Sequence, residues 1–302
     1  MLKETFFLDQ IPDLPPKEVR LAVLGYPIKH SISPQLHGSA LAVLAENEPA
    51  FHNWNYRKIE VPPEDLHTAL PKLAKLGFHG LNLTIPHKVE VLPMLSSIDQ
   101  QAKVMGAVNT LSWESNGWKG YNTDGIGLSR AIKQASDRAI SEFDILVLGA
   151  GGAARAAVAQ CLFEKCQNLA IFNRSLDRAK ELCRALKEND FDQNLIVLES
   201  FSNPFSHSGN PTLIINATSL GLRQDDPSPI DLSQFSGTPF VYDMVYNPPV
   251  TNLLRQAAEM EYPWANGLGM LVGQAARSLE IWTGREVSTD AMSKAAEESI
   301  GE

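Results

Sequence analysis

Phe143-Asp-Ile-Leu-Val-Leu-Gly149-Ala-Gly151-Gly-Ala-Ala154-Arg155 is the stretch that decides the fold. An apolar run of strand length leads into a glycine-rich turn and then an alanine-rich segment, the context that a GxGxxG/A dinucleotide-binding fingerprint requires. Gly149 permits the tight turn, Gly151 lets the backbone approach a pyrophosphate, and Ala154 is small enough for the helix to rest on its strand. The stretch predicts a Rossmann-like domain, and a glycine-rich turn that binds nothing is the alternative. The predicted cofactor-binding residues of the turn are Gly149, Ala150, Gly151, Gly152, Ala153 and Ala154.

The end of the next strand indicates which nicotinamide cofactor this domain takes. NAD-binding proteins place an Asp or Glu there for the ribose 2′-hydroxyl. This chain instead has Asn173, Arg174 and Ser175, with Arg178 one helical turn beyond. Two guanidinium groups can hold a 2′-phosphate through charge-assisted bonds, so NADP is predicted. The alternative for Arg178 is a place on a solvated helix face beside acidic neighbours.

Strand-length apolar runs alternate with helix-period segments on both sides of this stretch, which indicates β-α-β construction. With 302 residues the chain is long enough for two domains of this kind. We place the seam in a helix that starts near Asp124. The predicted fold is α/β with a mainly parallel sheet in an N-terminal domain, residues 1–124, and a Rossmann-like domain at 125–267. An apolar helix within 268–302 is expected to return to the first domain.

Composition excludes several classes of function. A net charge of −9 without a dense basic run argues against nucleic-acid binding. Three cysteines without CxxC spacing, and histidines outside any HExxH pattern, favour neither disulfides nor a metal site. No apolar run reaches the roughly 20 residues that span a bilayer, and the start does not have the order of a signal peptide. We therefore expect a cytoplasmic protein without a membrane partner.

Two segments of the first domain place polar groups at strand ends. Ser31 and Ser33 lie in a turn before Pro34, with Ser33 expected as the N-cap of a helix. The pair could hold a carboxylate, although a simple cap is the alternative. Thr84 and Lys88 follow another strand through a proline turn, at the sheet edge where open α/β proteins bind ligands. Lys88 is a candidate acid/base, and a solvated surface lysine is the alternative.

Asn109 and Asp124 complete the polar positions, each at a strand end. Oxidation of an alcohol by hydride transfer requires an acid/base within hydrogen-bond reach of the hydroxyl. Lys88 and Asp124 together could supply it, and an N-cap role for Asp124 is the alternative.

These segments, taken in order, resemble the shikimate dehydrogenase family over nearly the whole chain. The matching blocks are GxPxxHSxSP, NLTIPHK, GAVNT, GYNTDG, GAGGAARA, NRS, NATSLG, YDMVYNPPVT and NGLGMLVGQAA. The resemblance implies two α/β domains with a cleft between them. It also implies reversible NADPH-dependent reduction of 3-dehydroshikimate to shikimate, a step of chorismate and aromatic amino-acid biosynthesis. A homodimer is a further expectation.

The resemblance also implies roles for single residues. Lys88 and Asp124 match the catalytic pair, in which Asp124 is also a substrate ligand, and Ser31 and Ser33 match the serines that hold the substrate carboxylate. The residues that match binding positions for the ring hydroxyls and the substrate face are Thr84, Asn109, Tyr246 and Gln274. Those that match the 2′-phosphate site and the nicotinamide half are Asn173, Arg174, Ser175, Arg178, Thr218, Met244, Gly267 and Met270.

The chain departs from the family pattern in two places, and three alternatives stay open. The family usually continues SPxxHN, whereas this chain has His37 followed by Gly38, and the residues before Arg20 exceed the family core. A quinate or dual-specificity dehydrogenase shares the fold and the catalytic pair, and one sequence does not separate them. A dinucleotide-binding sensor without catalysis would not need Lys88 and Asp124. A folate or amino-acid dehydrogenase would lack the paired serines.

Overall fold

The computed structural model describes residues 5–11, 15, 17–189, 191, 194–200, 205, 209–235 and 237–300. The chain forms two compact units. The first comprises Met1–Thr123 and Val272–Glu302, and the second comprises Asp124–Leu271. The predicted boundaries, 1–124 with 268–302 and 125–267, lie close to these positions. The sheets of both units establish the predicted α/β class.

The first unit is built on a seven-stranded sheet with the order β1-β3-β2-β4-β6-β7-β5. Its strands are β1 Thr5–Phe7, β2 Val19–Gly25, β3 Trp54–Glu60, β4 Phe78–Leu83, β5 Ser97–Ile98, β6 Thr110–Glu114 and β7 Gly117–Tyr121. Its helices are α1 Ser33–Asn47, α2 Leu66–Lys75, α3 His87–Glu90, α4 Gln100–Met105 and α10 Asp290–Ile300, together with most of α9 Leu268–Thr283. The sheet is parallel except at β6, which runs antiparallel to β4 and β7. The mainly parallel prediction is therefore confirmed.

Helix α9 packs closely on the middle of this sheet. The indole of Trp282 donates to the carbonyl of Leu111 at 2.9 Å. A Cβ atom added to Gly80 of β4 would lie 2.3 Å from the same indole, so only glycine allows this approach. The contact joins two segments that are far apart in the sequence, and it fixes the C-terminal part of α9 on the sheet of the first unit.

The second unit has a six-stranded, fully parallel sheet with the order β10-β9-β8-β11-β12-β13. Its strands are β8 Asp144–Leu148, β9 Asn168–Phe172, β10 Asn194–Leu198, β11 Thr212–Asn216, β12 Phe240–Asp243 and β13 Trp264–Ala265. Its helices are α5 Asp124–Ser136, α6 Gly152–Phe163, α7 Leu176–Lys187 and α8 Asn252–Glu259, with the first turn of α9. All five residues of β8 are buried. This fits the continuous apolar run, because a central parallel strand is covered on both faces.

One local prediction is wrong, and one strand end has a local cause. Strand β12 ends at Asp243. The Asp243 carboxylate accepts a hydrogen bond from the backbone N–H of Val245 and turns the chain. Ser33 is not the N-cap of α1, because the helix begins at Ser33 and Ile32 is the cap residue.

The segment before Arg20, which had no predicted role, adds an edge to the first sheet. Strand β1 pairs parallel to β3, with Thr5 opposite Lys58. Phe6, Leu8 and Ile11 pack against the apolar core of the unit. No helix in the described ranges has both the length and the apolar character to cross a bilayer.

Candidate functional site

The turn between β2 and α1 brings the two predicted serines together. Ser31 Oγ donates to Ser33 Oγ at 3.1 Å, and the backbone N–H of Ser33 donates to Ser31 Oγ at 3.3 Å. Both residues are partly exposed. They stand at the first turn of a 15-residue helix, where unsatisfied N–H groups favour an anion. The geometry fits a small carboxylate cradle.

Tyr56 of β3 lies behind this turn. Its hydroxyl donates to Oδ1 of Asn82 at 2.6 Å, and His37 stacks on its ring with a centroid distance of 4.0 Å and an interplanar angle of 5°. Burial raises the pKa of Tyr56, and a hydrogen bond with Ser33 opposes that rise. The serine pair is therefore connected to the interior of the sheet through a tyrosine that stays protonated.

Asn109 and Gln274, both predicted substrate ligands, meet in a polar cluster at the ends of β4 and β6. The amide of Asn109 donates to Gln274 Oε1 at 3.4 Å, and its Oδ1 accepts the backbone N–H of Thr123 at 2.9 Å. Ser278 and Asn82 close the cluster, with Asn82 Nδ2 3.0 Å from Ser278 Oγ. Asn109 is 2% exposed, so its orientation is held by these bonds, whereas Gln274 is only partly buried.

Thr84 and Lys88 follow β4 as predicted. A Cβ atom on Gly25 would lie 2.4 Å from Thr84 Cγ2, so glycine at the end of β2 is what allows the threonine to approach. The backbone N–H of Tyr26 donates to the carbonyl of Ile85 at 3.2 Å, which ties the serine turn to the proline turn. Lys88 is partly buried in α3, and its carbonyl accepts the N–H of Val108 at 2.8 Å. The first unit thus collects these predicted residues at one edge of its sheet.

In the second unit, the turn after β8 has the shape that a bound pyrophosphate requires. Gly149 has a φ of 115°, and a Cβ there would lie 2.9 Å from the carbonyl of Ala217. Gly151 and Gly152 face open space, with no atom within 4 Å of an added Cβ. Helix α6 begins at Gly152 with Ala154 fully buried beneath it. A tight turn at Gly149, open approach at Gly151 and close packing at Ala154 are the three demands of the fingerprint.

The end of β9 presents the predicted cationic groups. Asn173 Nδ2 donates to the carbonyl of Ser175 at 2.8 Å, and this bond shapes the turn into α7. Arg174, Ser175 and Arg178 are exposed. Within the described ranges neither guanidinium has a carboxylate within 4.0 Å, so Arg178 is not paired with its helix neighbours. Both are available for an anionic group.

Residues at the ends of β11 and β12 surround the other part of this site. Thr218 Oγ1 donates to Asn216 Oδ1 at 2.8 Å, and the backbone N–H of Met244 donates to the Asn216 carbonyl at 3.0 Å. A Cβ on Gly267 would lie 2.1 Å from the carbonyl of Met244, which makes glycine obligatory there. Asn216 thereby binds Thr218 and Met244, and Gly267 packs on the backbone of Met244. Met270, in the first turn of α9, is partly buried.

Asp243, which was not predicted as a site residue, holds the ends of β11 and β12 together through its hydrogen bonds. Its Oδ1 accepts from Asn216 Nδ2 at 3.0 Å and from the N–H of Val245 at 3.0 Å, and its Oδ2 accepts from Thr251 Oγ1 at 2.7 Å. Burial raises the pKa of the Asp243 carboxyl, and the three bonds oppose that rise. Tyr246, which follows three residues later, is partly exposed, and burial raises the pKa of its hydroxyl.

Asp124 is the first residue of α5 and directly follows Thr123. A carboxylate in the first turn of a helix is favoured by the helix dipole, so the capping alternative keeps a physical basis. Asp124 belongs to the second unit and Lys88 to the first.

Several residues that build the site were missed in the sequence. Asn82, Thr123 and Ser278 complete the cluster around Asn109. The signal was present for the first two, because they lie inside the NLTIPHK and GYNTDG blocks, and Asp243 lies inside YDMVYNPPVT. Their side chains were passed over because isolated polar residues at strand ends read equally well as turn formers.

Comparison with known proteins agrees with this geometry. Residues 23–111 match the shikimate dehydrogenase substrate binding domain, residues 131–227 match shikimate / quinate 5-dehydrogenase, and residues 267–297 match the shikimate 5'-dehydrogenase C-terminal domain. A shikimate dehydrogenase (NADP(+)) of Citrifermentans bemidjiense is 39% identical over 275 residues, which cover 90% of this chain and 92% of that protein.

Two solved structures are similar over nearly their full length. A crystal structure of shikimate dehydrogenase in complex with NADP+ has a TM-score of 0.82 and 32% identity, covering 95% of this chain and 97% of that one. A ligand-free 5-ketofructose reductase of Gluconobacter sp. strain CHM43 has a TM-score of 0.84 and 26% identity, covering 94% and 99%.

A parallel sheet with a dinucleotide turn, joined in one chain to a second α/β unit with a polar cluster at its sheet edge, defines a two-domain nicotinamide-dependent dehydrogenase. Three family matches and the 39% identity narrow this class. The chain belongs to the shikimate dehydrogenase family.

Proposed function

We propose that this protein is an NADP-dependent shikimate dehydrogenase that reduces 3-dehydroshikimate to shikimate reversibly, within aromatic amino-acid (chorismate) biosynthesis. The observation that carries the proposal is the set of hydroxyl and amide groups at one sheet edge of the first unit. Ser31 and Ser33 form a carboxylate-sized cradle, while Asn109 and Gln274 offer groups that match ring hydroxyls. A polyhydroxylated ring with one carboxylate complements this arrangement.

The second unit fits NADP on the geometry of its own residues. The glycine turn leaves room for a pyrophosphate, and Arg174 and Arg178 are exposed cations at the strand end where NAD-binding proteins have a carboxylate. The bound cofactor supplies or accepts the hydride. Thr218, Met244 and Gly267 would contact its nicotinamide half, and Asn173 and Ser175 would complete the 2′-phosphate site.

The side chains of the protein bind the substrate and transfer its proton. Ser31 and Ser33 hold the substrate carboxylate, and Thr84, Asn109 and Gln274 bind the ring hydroxyls. As the alcohol carbon is oxidised, its hydroxyl proton passes to Lys88, and the same proton returns when the ketone is reduced. Asp124 is the second member of the proposed catalytic pair and a substrate ligand, and Tyr246 is a further proposed substrate ligand.

A direct assay tests the proposal. Shikimate with NADP should produce absorbance at the reduced-nicotinamide band, and NAD should support far less turnover. Quinate is the second substrate to measure, because a dual-specificity enzyme would oxidise it at a comparable rate. Reduction of 5-ketofructose with NADPH is a third arm, since a reductase of that compound has the same fold. No turnover with any substrate and either cofactor, together with tight NADP binding, would favour the sensor.

We propose a cytoplasmic location and a homodimer. Sedimentation of the purified protein tests the second, with a mass of twice 33.2 kDa expected.

A further inference from the structure

Lys58 is a buried cation that has no role in the proposed binding of substrate or cofactor. It lies in β3 and is 5% exposed. Its Nζ donates to the backbone carbonyl of Lys29 at 3.1 Å. Within the described part of the chain no carboxylate oxygen lies within 4.0 Å of Nζ, so one of its three donors has a protein acceptor and no anion neutralises it. Burial of this kind is costly and lowers the pKa of the Lys58 amine.

The position of Lys58 relates it to the serine turn. Side chains alternate along a strand, so Tyr56, Lys58 and Glu60 share one face of β3. Glu60 Oε2 accepts the backbone N–H of Ile28 at 3.1 Å, while Lys58 holds the carbonyl of Lys29. The turn closes through the N–H of Ser31, which donates to the Ile28 carbonyl at 3.0 Å. Two adjacent residues of β3's face therefore fix the backbone just ahead of Ser31.

The serine hydroxyls are neutral, but the ligand proposed for them carries a full negative charge. A buried ammonium attracts such a charge more strongly than an exposed one, because water and salt screen it less. The side chains of Lys29 and His30 in the same turn are exposed, so screening weakens any attraction from them. Lys58, which contacts this turn from β3, is instead buried.

We propose that Lys58 is a specificity-determining residue, and that its buried ammonium behind the serine turn makes the Ser31–Ser33 cradle select a carboxylate over an uncharged group. This inference rests on the proposed function and names the charge that enforces it. Glu60 works in the opposite direction, because its carboxylate lies on the same face and partly cancels the attraction.

The carboxylate does not react, so its attraction to Lys58 is equal in the ground state and the transition state. Such uniform binding alters KM and leaves kcat unchanged. Lys58→Met keeps the length of the side chain and removes its charge. We expect kcat/KM for shikimate to fall about tenfold through KM, the change that corresponds to about 1.4 kcal/mol.

The methyl ester of shikimate separates charge from structure. It retains the ring and the hydroxyls but has no negative charge, so Lys58→Met should change its kcat/KM by less than about twofold. If Lys58 served only to shape the turn, both compounds would lose activity to the same extent. That equal loss, or an unchanged KM for shikimate, would overturn the proposal.

Two further variants complete the test. Glu60→Gln keeps an acceptor for Ile28 and should shift the preference toward shikimate over the ester, opposite to Lys58→Met. Lys75→Met removes a charge from an exposed position at the end of α2 and should leave the preference unchanged. A loss of preference in Lys75→Met would mean that net charge, not Lys58, is responsible.

Failure of the proposed function remains distinguishable from failure of this inference. If the wild-type protein oxidised neither shikimate nor its ester, the function would be wrong. Calorimetric binding of the two compounds to wild-type protein and Lys58→Met would still decide the role of Lys58. A wild-type preference for the acid that the variant retains would refute it.

Discussion

The amide of Asn109 donates to Oε1 of Gln274 at 3.4 Å, although the two residues are 165 positions apart in the sequence. Asn109 follows α4 at the edge of the sheet, and Gln274 lies in the second turn of α9. The first is held rigidly by Thr123, and the second is partly exposed. A ligand that binds both would find one donor group already oriented and the other able to adjust.

Gln274→Ala tests this half of the site. We expect KM for shikimate to rise about tenfold, because one hydrogen bond to a ring hydroxyl is lost, while KM for NADP stays within about twofold. The thermal midpoint should change little, since Gln274 is not part of the buried core. Steady-state kinetics with each substrate varied in turn makes the measurement. Gln101→Ala, in α4 of the same unit, is the matched control. An equal rise in KM for shikimate in both variants would show that Gln274 does not bind the substrate.

Lys88→Ala tests the acid/base. Loss of a positioned proton acceptor should lower kcat by ~10²-fold or more, with a small change in KM. Stopped-flow and steady-state rates of NADP reduction measure this loss. Lys103→Ala removes an exposed lysine from α4 and should retain full activity. A normal kcat in Lys88→Ala would show that Lys88 is not the proton acceptor of the reaction.

Arg174→Ala and Arg178→Ala test the choice of cofactor. Each loses charge-assisted bonds to the 2′-phosphate, so KM for NADP should rise by about 10- to 100-fold, while KM for NAD, which has no such phosphate, should change little. Arg184→Ala is the control, because Arg184 lies in the last turn of α7, the helix that contains Arg178. Parallel losses with NADP and NAD would indicate damage to the domain and not a phosphate contact.

His37 makes stability depend on pH. The ring is fully buried against Tyr56, and burial lowers the pKa of His37 to about 3, from 6.5 in the unfolded chain. Below pH 6.5 the unfolded state therefore binds the proton that the folded state refuses, so stability falls as pH drops from 6.5 toward 3. Between pH 7 and pH 5 this histidine should cost about 2 kcal/mol.

His37→Phe removes the titrating group and keeps a ring on Tyr56. Urea unfolding at pH 7 and pH 5 should show a loss of stability smaller by about 2 kcal/mol in the variant than in the wild type. His67→Gln, at an exposed position of α2, should show the wild-type dependence. An unchanged dependence in His37→Phe would show that other groups cause it.

Much of the fold was predictable because its signals are local. The run from Ile145 to Leu148 is apolar because both faces of the strand are covered, and the turn after it needs glycine at Gly149 for its positive φ. Both features are set by residues within a few positions of each other. Strand β1, only three residues long, and helix α10 gave no comparable periodic signal and were missed.

Parts of the site follow from the same local rules. Ser31 and Ser33 are two residues apart, so the turn that holds them also brings them together. The exposed arginines at the end of β9 were predictable because strand ends in this fold face the ligand. Family resemblance supplied the roles of Thr84, Asn109 and Gln274, for which composition and spacing alone offer no assignment.

By itself the sequence determined most of the alternation of strands and helices, the dinucleotide turn and the cationic strand end, because short-range patterning and glycine geometry set them. Only the tertiary structure decided that Asn109 meets Gln274, that Asp243 holds three donors beneath the end of β12, and that Lys58 is buried beside the serine turn. From the sequence alone, a lysine in a short strand is expected to be solvated. Its burial depends on β1, β2 and the turn that packs over it, and these come from separate parts of the chain.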